Sequence, residues 1–82
     1  MTLRQAVQKR LKELMNKKTI SQYKLSKISG VPQSTINALL NSEFDSCKLS
    51  VVYQLSQYLC NGLNDFFNSE LFLQKNIESK YN

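Results

Sequence analysis

Apolar residues recur along this 82-residue chain at the three- and four-residue spacing of amphipathic helices, and no stretch alternates with the two-residue period of a strand. The first helix is predicted over residues 3–17, with Thr2 as its N-cap and Gln5 completing a capping box. Its apolar positions keep a helical period and are Leu3, Val7, Leu11, Leu14 and Met15. The pattern therefore predicts an all-α chain.

The next segment predicts two short helices joined by a tight turn. Ser21 is a good N-cap for the first of them, and Leu25 and Ile28 are expected to lie on one face. Gly30 can end that helix because glycine adopts the left-handed conformation at little cost. Pro32 has a fixed φ that suits the entry to the second helix.

The second helix of this pair has one apolar and one polar face. The residues expected to point inward are Ile36, Leu39 and Leu40. The residues expected to point outward are Gln33, Ser34, Asn37 and the short Ala38. A row of uncharged hydrogen-bonding side chains on a helix is what the recognition of base edges in a DNA groove requires. This helix is therefore the main candidate for function.

The second half of the chain predicts two further helices. One begins near Leu49, and its buried positions are expected to be Val52, Leu55 and Leu59. Asn61 and Gly62 interrupt it, and a fifth helix covers residues 63–67. The polar connection before the fourth helix contains Phe44, a candidate anchor in the core. Together these elements predict a compact five-helix domain.

The helical domain is expected to cover residues 1–68, and residues 69–82 are expected to form a C-terminal extension. Ser69 can cap a sixth helix there, whose apolar positions would recur every four residues at Leu73, Ile77 and Tyr81. The apolar candidates for dimerisation at this end are Phe66, Phe67, Leu71, Phe72, Leu73 and Ile77. Two compatible interpretations remain: packing under the first and fifth helices, or a two-fold contact with a second copy.

The segment 21–41 resembles the helix-turn-helix of the Cro and phage-repressor type of bacterial transcription regulators. In that family a leucine is followed by a small residue, then by glycine four positions on and a branched aliphatic residue six further on. The matching residues are Leu25, Ser26, Gly30 and Ile36, with Val31 and Leu39 in supporting apolar positions. Residues 10–15 resemble the family's first helix and residues 55–67 its closing helices, so the resemblance extends over residues 3–67.

The resemblance implies contacts to DNA bases for the outward row Gln33, Ser34, Asn37 and Ala38. Glutamine and asparagine can pair bidentately with adenine, whereas alanine offers only apolar contact. This helix has no lysine or arginine, so specificity is expected to favour half-sites that contain A·T pairs, with a contribution from DNA shape. The alternative for Gln33 and Ser34 is that they only complete the helix start.

Contacts to the DNA backbone are expected around this helix. Gln22 matches a phosphate-contacting position of the family, and Asn41 and Lys48 flank the helix end and the next loop. The full set of backbone candidates is Gln22, Tyr23, Lys24, Lys27, Thr35, Asn41 and Lys48. The alternative is an ordinary solvated surface, with Thr35 acting as a helix cap.

Positive charge is concentrated in the first 30 residues, which hold eight Lys and Arg residues against Glu13 alone, a net charge of +7. Residues 31–82 hold three lysines against five acids, a net charge of −2. This asymmetry is typical of a surface that contacts phosphates with salt-dependent affinity, although a solvated helix face has the same composition. The eight residues are Arg4, Lys9, Arg10, Lys12, Lys17, Lys18, Lys24 and Lys27.

Composition argues against other classes of protein. No run of about 18 apolar residues is present to span a membrane, and the basic N-terminus is not followed by the apolar core of a signal peptide. Cys47 and Cys60 are isolated thiols that suit a reducing cytoplasm, with Cys60 expected in the core near a helix end. Without histidine the chain offers no common metal site or catalytic triad. We expect no cofactor, metal or small-molecule ligand, and no enzymatic activity.

These observations predict a cytoplasmic repressor that binds operator sites in double-stranded DNA as a homodimer. Two alternatives share the fold, namely a DNA-binding antitoxin and a restriction-modification controller. A third belongs to another class, a protein-interaction adaptor that uses the same helices without DNA. Salt-dependent binding to operator DNA separates the regulators from the adaptor.

Overall fold

The computed structural model describes residues 1–41 and 48–78. All regular secondary structure in these residues is helical, and they contain no strand. The helices are α1 (Leu3–Lys18), α2 (Gln22–Ser29), α3 (Gln33–Asn41), α4 (Leu49–Leu59) and α5 (Leu63–Phe67). All five predicted helices are thereby confirmed, each within one or two residues of its expected start. Phe44, Cys47 and Tyr81 lie outside the described residues. Across the described ranges no helix combines the length and apolarity needed to cross a membrane.

Helix α1 is closed at both ends by local hydrogen bonds. The Thr2 hydroxyl accepts from the Gln5 N–H (3.1 Å), and the Gln5 side chain accepts from the Thr2 N–H (2.9 Å), which confirms the predicted capping box. At the other end Thr19 has a left-handed backbone (φ 53°), and the Ile20 N–H donates to the Met15 carbonyl (3.0 Å). This arrangement is a Schellman motif, which turns the chain towards α2.

A single apolar core joins the five helices. Its buried residues are Val7, Leu11, Leu14, Met15, Leu25, Val31, Ile36, Leu39, Leu40, Val52, Leu55, Leu59 and Phe66. The inward positions predicted for α3 and α4 are therefore confirmed. Cys60, at the end of α4, packs against this core and is half-buried, in agreement with its expected place.

Two apolar positions predicted to face the core are on the surface. Leu3 is 56% exposed and Ile28 is 38% exposed. In α1 the neighbouring Arg4 occupies the inward position instead, one turn before Val7. In α2 the inward residue is Ser29, which lies four positions after Leu25 and therefore on the same face.

The tail forms two short 3-10 turns, Glu70–Phe72 and Gln74–Asn76, where a sixth helix was an option. The Ser69 hydroxyl accepts from the Leu71 N–H (3.3 Å), so the predicted cap is present. Leu73 then adopts an extended backbone (φ −65°, ψ 142°) and separates the two turns. An α-helix is therefore not continued through residues 69–78.

Candidate nucleic-acid interface

The turn between α2 and α3 is closed by backbone and side-chain hydrogen bonds. Gly30 adopts the left-handed conformation (φ 77°), and its N–H donates to the Ser26 carbonyl (3.0 Å), as the sequence predicts. The Ser26 hydroxyl donates to the Val31 carbonyl (2.7 Å). The Ser29 hydroxyl donates to the Leu25 carbonyl (2.6 Å) and accepts from the Val31 N–H (3.2 Å). Ser26 and Ser29 therefore stabilise the turn through side-chain hydrogen bonds.

Helix α4 supports this turn from the side. The Gln54 amide donates to the carbonyl of Ser29 (2.9 Å), the last residue of α2. Carbonyls in the last turn of a helix lack partners within that helix, so this bond satisfies an acceptor that would otherwise need water. The angle at which α3 leaves the turn is thus tied to α4.

Helix α3 buries one face completely and exposes the other. Ile36, Leu39 and Leu40 are buried in the core. The four residues predicted to contact bases are all exposed on the opposite face, and they are Gln33, Ser34, Asn37 and Ala38. The helix has no acidic residue in its first turn and no basic residue in its last. It therefore presents a neutral polar surface about 12–14 Å long, which a major groove can accommodate.

Two asparagines at the end of this surface are hydrogen-bonded to each other. The Asn41 side-chain amide donates to the Asn37 side-chain carbonyl (2.7 Å), one turn apart on the exposed face. With its oxygen engaged in this way, Asn37 offers its side-chain amino group as a donor. Asn41 thereby orients the side chain of Asn37, one of the expected base contacts. The sequence analysis did not predict this hydrogen bond.

Helix α1 binds the carboxyl end of α3. The Arg4 guanidinium donates to the carbonyls of Ala38 (2.9 Å) and Leu39 (3.3 Å), and the Gln8 amide donates to the Leu39 carbonyl (3.1 Å). Arg4 is only 6% exposed, so its inclusion among cations that face phosphates is wrong. A sequence signal was present, because Arg4, Val7 and Leu11 share the spacing of an inward stripe.

Arg10 is the second cation withdrawn from the surface. Its guanidinium donates to the carbonyls of Asp65 (2.8 Å) and Phe66 (2.7 Å) and pairs with the Glu13 carboxylate. These bonds attach α1 to the end of α5. The cations of the first 30 residues that remain exposed are Lys9, Lys12, Lys17, Lys18, Lys24 and Lys27.

Two of the residues predicted to contact the DNA backbone, Thr35 and Asn41, lie on α3 itself, and the others lie on α2 or directly before α4. Gln22 and Thr35 are half-buried at the first turns of α2 and α3, and the other five are exposed. On α2 the Lys27 ammonium lies 5.1 Å from the centre of the Tyr23 ring, a cation–π contact between two of the candidates. Lys48 directly precedes α4. The remaining candidates are Lys24 and Asn41.

The apolar tail residues divide between the core and the surface. Phe66 is 1% exposed and contacts Phe67 (ring centres 5.2 Å apart), while Phe67 contacts Phe72 (4.8 Å). Phe66 is therefore wrong as a contact for a second copy, because the core already covers it. Leu73 is 46% exposed. The half-buried candidates are Phe67, Leu71, Phe72 and Ile77.

Cys60 shows no sign of nucleophilic chemistry. Burial, and after it the negative charge of Asp65, raise the pKa of the Cys60 thiol above its ordinary value. Its thiolate fraction at neutral pH is therefore smaller than that of an ordinary thiol, and thiols react as nucleophiles in the thiolate form.

A tight turn closed by hydrogen bonds, a second helix with one exposed polar face, and supports from α1 and α4 are the geometry of a helix-turn-helix. A family model described as the Cro/C1-type HTH DNA-binding domain matches residues 10–70. The chain belongs to this family. Neither a search of the curated proteins nor one of the solved structures returned a match.

As a Cro/C1-type domain the protein binds DNA, and α3 is in the position of the recognition helix. The match covers the helix-turn-helix pair, α4 and α5, which confirms the resemblance inferred from the sequence. It begins after Arg4 and Gln8, so the donors of the bonds from α1 to the end of α3 precede the matched segment and their acceptors lie within it.

Proposed function

We propose that this Cro/C1-type protein is a transcription repressor that binds an operator as a homodimer, with α3 of each copy in the major groove of one half-site. The observation that carries the proposal is the exposed neutral row on α3, formed by Gln33, Ser34, Asn37 and Ala38, above a fully buried apolar face. Bound over a promoter, such a dimer represses by excluding the polymerase.

Base recognition would depend on the two ends of the row. Gln33 and Ser34 occupy the first turn of α3, and side chains at the amino end of a recognition helix contact base edges most directly. Asn37, oriented by Asn41, supplies a donor one turn further on. Because α3 carries no arginine or lysine, we propose half-sites that are rich in A·T pairs under this helix.

The backbone candidates would hold the helix in register. Lys24 and Lys27 are exposed cations on α2, which packs against α3, and Lys48 is an exposed cation directly before α4. Gln22 begins α2, where backbone N–H groups are unpaired within the helix. Contacts of this kind position a protein on DNA and add affinity that falls with salt concentration. Tyr23, Thr35 and Asn41 complete this set.

Dimerisation is proposed through the tail. Leu73 is the most exposed of its apolar residues and lies beside the half-buried Phe67 and Phe72. A two-fold contact there would use the same patch on both copies.

The proposal is tested first by selecting binding sites from randomised DNA duplexes with the intact protein. Binding is then measured by fluorescence anisotropy on the selected duplex and on a mixed-sequence duplex. The double variant Gln33→Ala with Asn37→Ala is expected to lose at least about tenfold in affinity for the selected duplex only, since a good bidentate base contact is worth roughly 1–3 kcal/mol. Lys48→Ala is expected to weaken both duplexes alike and to lower the salt slope by about 1.

Gln57→Ala is the matched control, because Gln57 is an exposed glutamine on α4 and not on the exposed face of α3. It should bind both duplexes as the wild type does. Enrichment of no sequence, or a double variant that keeps its preference, would contradict sequence-specific recognition. Transcription in vitro from a promoter that overlaps the selected site separates the direction of control: added protein should lower the transcript yield, and an increase would contradict repression.

A further inference from the structure

The Arg4 side chain is buried and contacts the carboxyl end of α3 from a position before residue 10, where the family match begins. Burying a guanidinium costs free energy unless its donors find acceptors. Arg4 finds them in the carbonyls of Ala38 and Leu39, at 2.9 and 3.3 Å from the same nitrogen. The side chain therefore contributes a charge-assisted contact to the recognition helix from the side away from DNA.

Helix α3 has no charge of its own to stabilise its carboxyl end. Its last turn contains no basic residue, and the partial negative charge of a helix terminus is stabilised by a nearby cation. Arg4 supplies that cation from α1. Gln8, one turn further along α1, adds a neutral donor to Leu39 (3.1 Å). Arg4 and Gln8 together form what we call the α1 clamp.

The clamp acts on residues that face DNA. Ala38, whose carbonyl accepts from Arg4, is itself exposed on the recognition face between Asn37 and Asn41. A small rotation of α3 about its first turn would move these side chains most, because they are farthest from the turn. Hydrogen bonds to base edges tolerate only a few tenths of an ångström, whereas long lysine side chains can follow a phosphate.

We propose that Arg4 and Gln8 are positioning residues that fix the depth and tilt of the recognition helix, so that they increase discrimination between DNA sequences without touching DNA. The inference rests on the proposed function, since it needs a protein that distinguishes sequences. Loss of the clamp lowers affinity for the selected site and leaves non-specific affinity unchanged.

The test uses the intact protein, the duplex selected by the wild type and a mixed-sequence duplex of equal length. The measured quantity is the ratio of the two dissociation constants, at a temperature where thermal unfolding shows each variant to be folded. Arg4→Met, which keeps much of the side-chain volume, is expected to lower this ratio about tenfold, the effect of losing roughly one base contact. Selection repeated with this variant should show a weaker preference at the base pairs under Asn37 and Ala38.

Lys9→Met is the matched control, because it removes one positive charge from the exposed face of the same helix. It should leave the ratio unchanged. An Arg4→Met protein whose ratio equals that of the wild type overturns the proposal, and so does an equal loss on both duplexes. If Arg4→Met does not fold, Gln8→Met decides by the same ratio, with a smaller decrease expected. Enrichment of no sequence by the wild type would overturn the proposed function itself, whereas a selective wild type with unaffected clamp variants would overturn this inference alone.

Discussion

Thr19 is the only residue other than glycine with a positive φ within residues 1–41 and 48–78. It occupies the left-handed position of the Schellman motif that ends α1, where glycine is favoured. A β-branched side chain is strained there, because its Cβ substituents crowd the backbone. Its hydrogen bonds and the packing of Ile20 on the core hold the residue in this conformation.

We expect Thr19→Gly to stabilise the fold by about 1 kcal/mol, since it removes the left-handed strain. For a domain of this size that corresponds to a rise in Tm of roughly 4–8 °C. The measurement is thermal unfolding followed by circular dichroism. Thr19→Ala is the control, because alanine keeps a Cβ in the same conformation, and it should recover only part of the gain. A Tm that is unchanged or lowered in Thr19→Gly would show that the threonine is not strained.

The burial of Arg4 and Arg10 was not predicted from the sequence. The net charge of the first 30 residues is visible in the sequence, yet Arg4 and Arg10 are removed from that surface by carbonyl groups. Those acceptors belong to the ends of α3 and α5, and their position depends on how the helices pack. The helical spacing placed both arginines beside the inward stripe, but composition alone predicts an exposed arginine.

At the scale of helices, the helix-turn-helix was predictable because its signals are local. Ser21 caps α2 and Gly30 ends it through bonds within a few residues. The tail was not predictable in the same way. Ser69 provides a cap, but a short helix gains too little from its own hydrogen bonds to persist without packing. Here Phe72 packs on the core and the Glu78 N–H donates to the Met1 carbonyl (2.8 Å), which favours two turns separated by the extended Leu73.

The bond from Gln54 to the end of α2 yields a prediction about the stability of the helix-turn-helix. Gln54→Ala should lower the free energy of unfolding by about 1 kcal/mol, the usual contribution of one hydrogen bond, because the Ser29 carbonyl loses its partner from α4. Urea denaturation measures the change. Gln57→Ala, three residues further along the same helix and exposed, should stay within about 0.5 kcal/mol of the wild type. Equal losses in the two variants would mean that helix propensity, and not the bond, accounts for the effect.

At the scale of the whole molecule, the described part of the tail, residues 69–78, packs against the helical domain. Phe72 joins the core, and residues 76 and 78 contact the chain start through the Asn76 carbonyl and the Glu78 N–H. Of the two interpretations of the apolar tail, packing is therefore observed. Dimerisation stays a prediction that now rests chiefly on Leu73 and its half-buried neighbours.

We expect the wild type to sediment as a dimer and Leu73→Glu to sediment as a monomer, because a carboxylate would be buried without a partner at the two-fold contact. Analytical ultracentrifugation over a range of concentrations measures this. Leu49→Glu is the matched control, since Leu49 is a more exposed leucine (61%) on α4, and it should remain dimeric. A wild type that stays monomeric, or dissociation by Leu49→Glu alone, would place the contact elsewhere.

The bonds of Arg10 also bear on how the chain matures during synthesis. The carbonyls that accept from its guanidinium follow it by 55 and 56 residues. Until they have left the ribosome, the Arg10 guanidinium lacks these two acceptors, so its burial would cost free energy. The recognition helix is synthesised well before this point, but α1, which supports it, is not yet attached to α5. We therefore expect an unfinished chain to bind DNA more weakly than the completed protein.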